Sequence, residues 1–389
     1  MNFDEPIDRS GYPTLKWSPA YLTEHYGRAD VIPMSVADMD LKAPPAVVEA
    51  LVKRAEHGVY GYERRPESVW SAWSGWYQAR HGWRVERAQA VPSPSILSAV
   101  AVLIQQHSSE GDGVIVQPPV FFEFRQVVRQ NRRTVVKNPL KYEGGRYRMD
   151  LEDLEQKAAD PNNRVLILCN PHNPVGRVWT RQELEEVDRI CERHGVFVIA
   201  DEIHGDFAFP PHRYVPYLSV AASGNAAACL SPGKTFNVSG VVDAVTVLPD
   251  EEQRERFRTF VRRLHMNRTH VFANAAVEAA YRGGGAWLDA LLKYLRGNVD
   301  LVRRRLDRED VGIELVEPEG TFLAWLDFRG LGLDAKELET FLAQNARVAL
   351  AQGYWFGREG AGFARMTLGA PRSTVERAVD RIVRAVRQG

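Results

Sequence analysis

A lysine in the turn Ser231-Pro232-Gly233-Lys234-Thr235 directly follows the apolar run Ala226–Leu230. A lysine at a strand terminus can do two kinds of chemistry. It can neutralise phosphates at the close of a P-loop, GxxxxGK[ST]. It can also form a Schiff base with an aldehyde cofactor. A solvated lysine in a surface turn is the plain third reading. The P-loop pattern needs glycine six residues before the lysine, and that position is Ala228. Pro232 removes a backbone N–H from a loop whose task is to present them. The apolar strand Val196–Ala200 and its acid Asp201 also precede the lysine, whereas in most P-loop enzymes that strand follows it. The aldehyde reading survives this comparison best.

Three more stretches end apolar runs with polar, turn-forming residues: Asn170-Pro-His-Asn-Pro-Val-Gly176, Asp201-Glu-Ile-His204, and Val91-Pro-Ser-Pro-Ser95 leading into a helix. Ligands of open α/β sheets bind beyond the carboxyl ends of the strands. If these ends gather, pyridoxal phosphate fits them part by part. Lys234 would take the aldehyde. Asp201 would face the pyridine nitrogen and keep it protonated. Asn173 and His204 would hydrogen-bond the ring's 3-oxygen. The helix start at Ser95 and Ile96 would hold the phosphate with backbone N–H groups, aided by Ser231. Phe121 would stack on the ring. Each residue alone has a plainer reading: Asp201 as a helix cap, His204 and Phe121 as core, Asn173 as turn chemistry. Their joint placement at successive strand ends carries the argument.

The elements that must position these residues are legible as an alternation. Strands are expected at Gly113–Val116, Arg133–Lys137, Val165–Cys169, Val196–Ala200, Ala226–Leu230 and Ala244–Leu248. Helices lie between them, among them Arg181–His194 with a capping box (Thr180, Glu183) and Gly195 at its end. Strands alternating with helices predict an α/β domain with a mostly parallel, doubly covered sheet. The expected division is an irregular N-terminal arm with part of a small domain over 1–45, a large cofactor-binding domain over 46–285, and a smaller α+β domain over 286–389 that uses both chain ends. Val47, Val48, Leu51 and Val52 are expected on one face of a helix beginning near Ala46, and Ser373 with Glu376 to cap the last helix.

Composition narrows the function classes. The 389 residues suffice for about two or three domain-sized units. Lys plus Arg equals Asp plus Glu at 50 each, so no basic excess points to nucleic acid or an anionic membrane. No apolar run approaches membrane-spanning length. The N-terminus lacks a signal-peptide core. The three cysteines, Cys169, Cys191 and Cys229, have no CxxC spacing and suit a reducing cytoplasm. No metal-ligand cluster is recognisable, so no metal is expected.

The chain resembles the fold-type I pyridoxal phosphate enzymes of the class I/II aminotransferase superfamily, and within it the branch of cystathionine β-lyases and related C–S lyases. The resemblance covers nearly the whole length. It rests on Val36-Ala-Asp-Met-Asp40, Val59-Tyr-Gly-Tyr62, Asn170–Gly176, Asp201–His204, Lys234-Thr-Phe-Asn237, Trp287-Leu-Asp289 with Tyr294-Leu295, Glu319–Asp327 and Ala370-Pro-Arg372 in order. It implies an aspartate aminotransferase-like fold and β-elimination from an S-substituted cysteine to thiol, pyruvate and ammonia. It further implies that Arg372 clamps the substrate α-carboxylate, that Ala37 lies at the substrate, and that Tyr62 reaches the cofactor phosphate of a neighbouring subunit in a homodimer with shared sites. Val242 stands where aspartate aminotransferase-like enzymes carry a further phosphate arginine, which favours the lyase branch. Aminotransfer and decarboxylation-linked oxidative deamination use the same residues and stay open, as does a role in binding a transcription regulator. The chain departs from the branch at Ser35 (tryptophan in relatives), across Ser93-Pro94-Ser95-Ile96-Leu97, at Phe121 (tyrosine) and at Gly233 (serine). These departures fit a larger or unusual S-conjugated cysteine.

Overall fold

The computed structural model describes residues 1–388. Seven strands form one sheet in the order Ala90–Ser93, Ala244–Val247, Ala226–Leu230, Phe197–Asp201, Asn163–Cys169, Gly113–Val116, Thr134–Lys137. Only Ala244–Val247 runs antiparallel to its neighbours. The central strands are buried along their whole length, as near-continuous apolar runs must be when helices cover both faces. One face packs against Leu103, Phe124 and Phe257, the other against Leu154, Leu184 and Val187.

Register decides where the polar strand ends fall. Cys169, Asp201 and Cys229 are partners across three adjacent parallel strands. The residues that follow them, Asn170, Glu202 and Leu230-Ser231, therefore emerge at one sheet edge. The Arg181–His194 helix forms as its sequence signals require. Thr180 accepts from the Glu183 N–H, Glu183 answers to the Thr180 N–H, and Gly195 closes the helix at φ 67°.

A second, four-stranded antiparallel sheet has the order Glu314–Val316, Leu323–Asp327, Phe363–Thr367, Ala351–Gln352. The long helix Gly285–Glu309 buries Leu288, Leu291, Leu295, Val299 and Val302 in the core it shares with this sheet. The N-terminal segment joins this part of the molecule. Ile32–Pro33 pairs in parallel with Val348–Ala349, the Thr367 N–H donates to the Met34 carbonyl, and the Asp40 N–H donates to the Gly369 carbonyl.

Three expectations change, and one apolar helix face lies open. The arm is not wholly irregular: Pro19–Tyr26 is a helix, capped by the Ser18 side chain and closed by Gly27 at φ 72°. Ala90–Ser93 is a strand at the sheet edge, where Pro92 costs no ladder bond to a central neighbour. The last helix opens at Arg372, which leaves Ser373 inside its first turn rather than at the cap. In the helix Pro45–Glu56 only Val47 is buried, while Val48 and Val52 are 46% and 50% exposed. Among the described residues no helix is long and apolar enough to cross a membrane.

Candidate active site

A cavity of about 330 Å³ opens at the strand-end edge of the seven-stranded sheet. Nine of the residues singled out from the sequence line it: Ala37, Ser95, Ile96, Phe121, Asn173, Asp201, His204, Ser231 and Lys234. Tyr62 and Arg372 do not.

Lys234 donates from Nζ to the Ala37 carbonyl at 2.5 Å. This bond ties the strand-end turn to the N-terminal loop. Burial lowers the Lys234 pKa, and the Arg365 charge pushes the same way. The amine is thereby eased toward the neutral form, in which it can act as nucleophile or base.

Asp201 is buried at the tip of its strand, where Oδ1 accepts the Ile203 N–H at 3.1 Å. Burial raises its pKa to about 6, against the opposing effects of that N–H and of Lys234. A buried carboxylate without a cationic contact calls for a protonated partner. His204 is buried and held neutral: burial, with the charges of Lys234 and Arg365, lowers its pKa to about 3. Its Nδ1 is buried with no hydrogen-bond partner. Asn173 accepts from Arg365 Nη1 at 2.9 Å through Oδ1, which leaves its side-chain NH2 free to donate into the cavity.

Ser95 caps the helix Ile96–His107 with a mutual Ser95–Ser98 box, so the backbone N–H groups of Ile96 and Leu97 stand at the cavity wall. The Ser231 hydroxyl is engaged: it donates to the Asp243 carbonyl at 3.0 Å and accepts the Gly233 N–H at 3.2 Å. Phe121 is half-buried on the cavity wall, and its N–H donates to the Asn173 carbonyl at 3.1 Å.

The two outliers have different causes. Tyr62 is 94% exposed, with the Arg268 guanidinium 5.0 Å from its ring. Within one protomer it forms no part of the cavity wall. Arg372 is satisfied elsewhere. Its Nε donates to Asn298 Oδ1 at 3.2 Å, its backbone N–H to the Tyr294 hydroxyl at 2.6 Å, and its guanidinium lies over the Tyr294 ring.

The arginine brought to the site is Arg365, which sequence reasoning missed. It is buried mid-strand, bonded to Asn173 and to the Ser35 carbonyl at 2.7 Å, with Nε unpartnered. Among the described residues it forms no ion pair, and burial lowers its pKa to about 10. The sequence signal was an arginine within the run Phe363-Ala-Arg-Met-Thr367, whose residues are all buried in the structure. A buried guanidinium without a carboxylate is strongly disfavoured unless an anion completes it.

These features test the fit of pyridoxal phosphate. A buried carboxylate, an unpartnered imidazole nitrogen, a free amide NH2, a helix N-terminus and a buried lysine converge on one cavity, and each suits a different part of that molecule. The comparisons agree. The sequence pattern of "Aminotransferase class I and II" matches residues 29–382. "Cystathionine beta-lyase PatB" of Bacillus subtilis (strain 168) is 37% identical over 388 residues, covering 99% of this chain and 100% of the relative. "Protein MalY" of Escherichia coli (strain K12) is 34% identical, covering 100% and 99%. Cystalysin from Treponema denticola, whose crystal structure contains pyridoxal 5'-phosphate, superimposes with a TM-score of 0.95 at 30% identity, covering 100% of this chain and 99% of that one. The chain belongs to the class I and II aminotransferase family.

Proposed function

We propose that the protein is a pyridoxal phosphate-dependent carbon–sulfur β-lyase that converts an S-substituted cysteine and water into a thiol, pyruvate and ammonia. The observation that carries the reading is the convergence of Lys234, Asp201, Asn173 and His204 on one cavity, with the uncompensated Arg365 directly behind Asn173. The relative named above as a cystathionine β-lyase supplies the choice of reaction.

Lys234 would hold the cofactor's aldehyde carbon, Asp201 its ring nitrogen, Asn173 and His204 its 3-oxygen, and the Ile96–Leu97 N–H groups its phosphate. When bound, the cofactor supplies an electron sink that makes the substrate Cα–H acidic and the β-sulfur a leaving group. Arg365 takes the α-carboxylate in a charge-assisted pair. Asn173, bonded to the same guanidinium, keeps cofactor and carboxylate in fixed relation. Lys234 Nζ, already eased toward neutrality by burial, accepts the Cα proton. His204, neutral at ordinary pH, donates or accepts a hydrogen bond without adding charge.

Tyr62 gives the reading its quaternary form. Val48, Val52, Val59, Tyr60 and Tyr62 are all exposed, on one helix and the loop that follows it. An apolar surface of this kind marks an interface. We read it as the face on which a second copy docks, with Tyr62 of each protomer reaching the other's phosphate. The three buried, unpaired cysteines support a cytoplasmic setting.

Lys234→Ala tests the assignment. The purified wild type should carry an absorbance band at roughly 410–430 nm, and the variant should lack it. An unchanged yellow chromophore in the variant would refute the role of Lys234. Release of thiol and pyruvate from S-methylcysteine separates the lyase from an aminotransferase, which would need a keto acid to turn over.

A further inference from the structure

A second cavity, of about 470 Å³, lies between the arm helix Pro19–Tyr26 and the helix Glu123–Gln130. We propose that it receives the substituent on the substrate sulfur, and that the substituent it prefers is an aromatic ring bearing an anionic group. The proposal rests on the lyase reading above and names the substrate class for that site.

Glu123 lines both this cavity and the inner one, and the adjacent rings of Phe121 and Phe122, with centroids 5.2 Å apart, wall the inner and outer spaces respectively. The two spaces are therefore neighbours across a single layer of side chains. The inner cavity, at about 330 Å³, has the cofactor to house. A bulky group on sulfur has to extend beyond it.

The outer walls set the chemistry. Tyr21 and His25, one turn apart on the arm helix, are stacked at 4.1 Å and form one flat side. Phe122 and Trp355 add further aromatic surface. Aromatic walls select a flat, polarisable group by stacking. Phe122, Arg125 and Arg129 share one face of their helix by the i, i+3, i+7 spacing. Among the described residues neither Arg125 nor Arg129 forms an ion pair. Arg125 donates to the Trp355 carbonyl, and its Nε is buried without a partner. Two guanidinium groups against the single carboxylate of Glu123 leave the cavity net positive. Glu123 stands at the junction with the inner cavity, so an anion is favoured at the arginine end.

The experiment reads binding to the holoenzyme, so that it does not depend on turnover. The probes are the α-methyl derivatives of S-benzylcysteine and S-(4-carboxybenzyl)cysteine, which have no Cα proton to lose. Calorimetry should show the carboxybenzyl compound binding about tenfold tighter, the discrimination expected of one charge-assisted contact. In Arg125→Gln/Arg129→Gln the ratio should fall to about twofold or less, and in Arg125→Lys, which keeps the positive charge, it should stay near the wild-type value. Because each ratio compares two ligands on one protein, a general loss of fold quality cancels. Arg129→Gln alone, at an exposed position, provides the readout should the double variant not fold. Equal affinities in the wild type, or a ratio that the arginine substitutions leave unchanged, overturn the proposal. Loss of thiol release from every S-substituted cysteine would instead sink the lyase reading and leave the binding ratio to decide the cavity by itself.

Discussion

The cofactor end and the substrate end of the cavity are built in opposite ways. At the cofactor end, Asp201, Asn173 and Lys234 follow buried strands of one sheet, and strand register brings them to the same edge. At the substrate end, Ala37, Arg365 and the outer arginines come from the arm, a second sheet and a separate helix. The first construction is rigid by virtue of the sheet. The second is held by a few cross-links, such as Lys234 to the Ala37 carbonyl and Arg365 to Asn173 and the Ser35 carbonyl. Cofactor chemistry and substrate choice are thus separable in this molecule, and changes at the substrate end can alter what is bound without dismantling the electron sink.

The contrast can be broken most forcefully at its two arginines. Arg365 and Arg372 are seven residues apart, yet only Arg365 is buried and bonded to a cavity residue, whereas Arg372 is tied to Asn298 and Tyr294 away from the cavity. Arg365→Gln should lower kcat/KM by about 10²–10³, the loss of a paired carboxylate contact, chiefly through KM. Arg372→Gln should lower it by less than about threefold. Thermal unfolding of the apoproteins should go the other way. Arg372→Gln loses its bond to Asn298 and costs about 1 kcal/mol, whereas Arg365→Gln removes an uncompensated buried charge and leaves the apoprotein no less stable. A large kinetic loss confined to Arg372 would return the carboxylate role to that residue.

This pair also shows what was legible in the sequence. Local signals were strong wherever one segment determines its own structure. Thr180, Glu183 and Gly195 delimit a helix that the structure reproduces, and the apolar runs ending in Asn170, Asp201 and Ser231 are strands. Arg365 failed because its importance lies in what is missing around it. Only the fold shows that no carboxylate reaches a guanidinium in the middle of a buried strand. Arg372 was favoured because Ala370-Pro-Arg372 resembles a family motif, and a motif says nothing of where its side chain points. Val48 and Val52 make a related point: periodicity reports that a helix face is apolar, not whether the same chain covers it.

Within the cofactor end, two adjacent carboxylates allow a finer comparison. Burial raises the pKa of Asp201 to about 6 and of Glu202 to about 7. Only Asp201 lines the cavity. Glu202 points behind the sheet edge, where Oε1 accepts from Asn170 Nδ2 and the Tyr217 N–H, and Oε2 has no partner. A carboxyl group whose folded pKa is raised binds more protons folded than unfolded, so stability falls as pH rises from the unfolded value through the folded one. For Glu202 that window runs from its ordinary 4.5 to about 7. Glu202→Gln should therefore lessen the loss of apoprotein stability between pH 5 and pH 8 by on the order of 2–3 kcal/mol, measured by urea unfolding. Its visible spectrum with cofactor should not change. An identical pH dependence in variant and wild type would show that Glu202 is ionised throughout.

The smallest effect is expected where the two ends meet, at Gly233 beside Lys234. A Cβ placed there would lie 2.9 Å from Ser239 Oγ, 3.2 Å from Ser239 Cα and 3.3 Å from Ser231 Oγ. The space that a side chain at 233 would use is already taken by the Ser239 hydroxyl, and Ser239 lines the cofactor cavity. The glycine and the serine are thus one steric unit. Gly233→Ser alone should crowd Ser239 and weaken cofactor affinity by about threefold to tenfold. Ser239→Ala alone removes a hydroxyl from the cavity wall and should cost about twofold. The two substitutions together should restore most of the affinity, because the new hydroxyl at 233 enters the room that the old one vacates. A double-mutant cycle on cofactor dissociation should then give a favourable coupling of about 1 kcal/mol. Simple additivity would mean that the Ser239 hydroxyl swings aside freely and that the missing side chain at 233 leaves a real gap in the cofactor's surroundings.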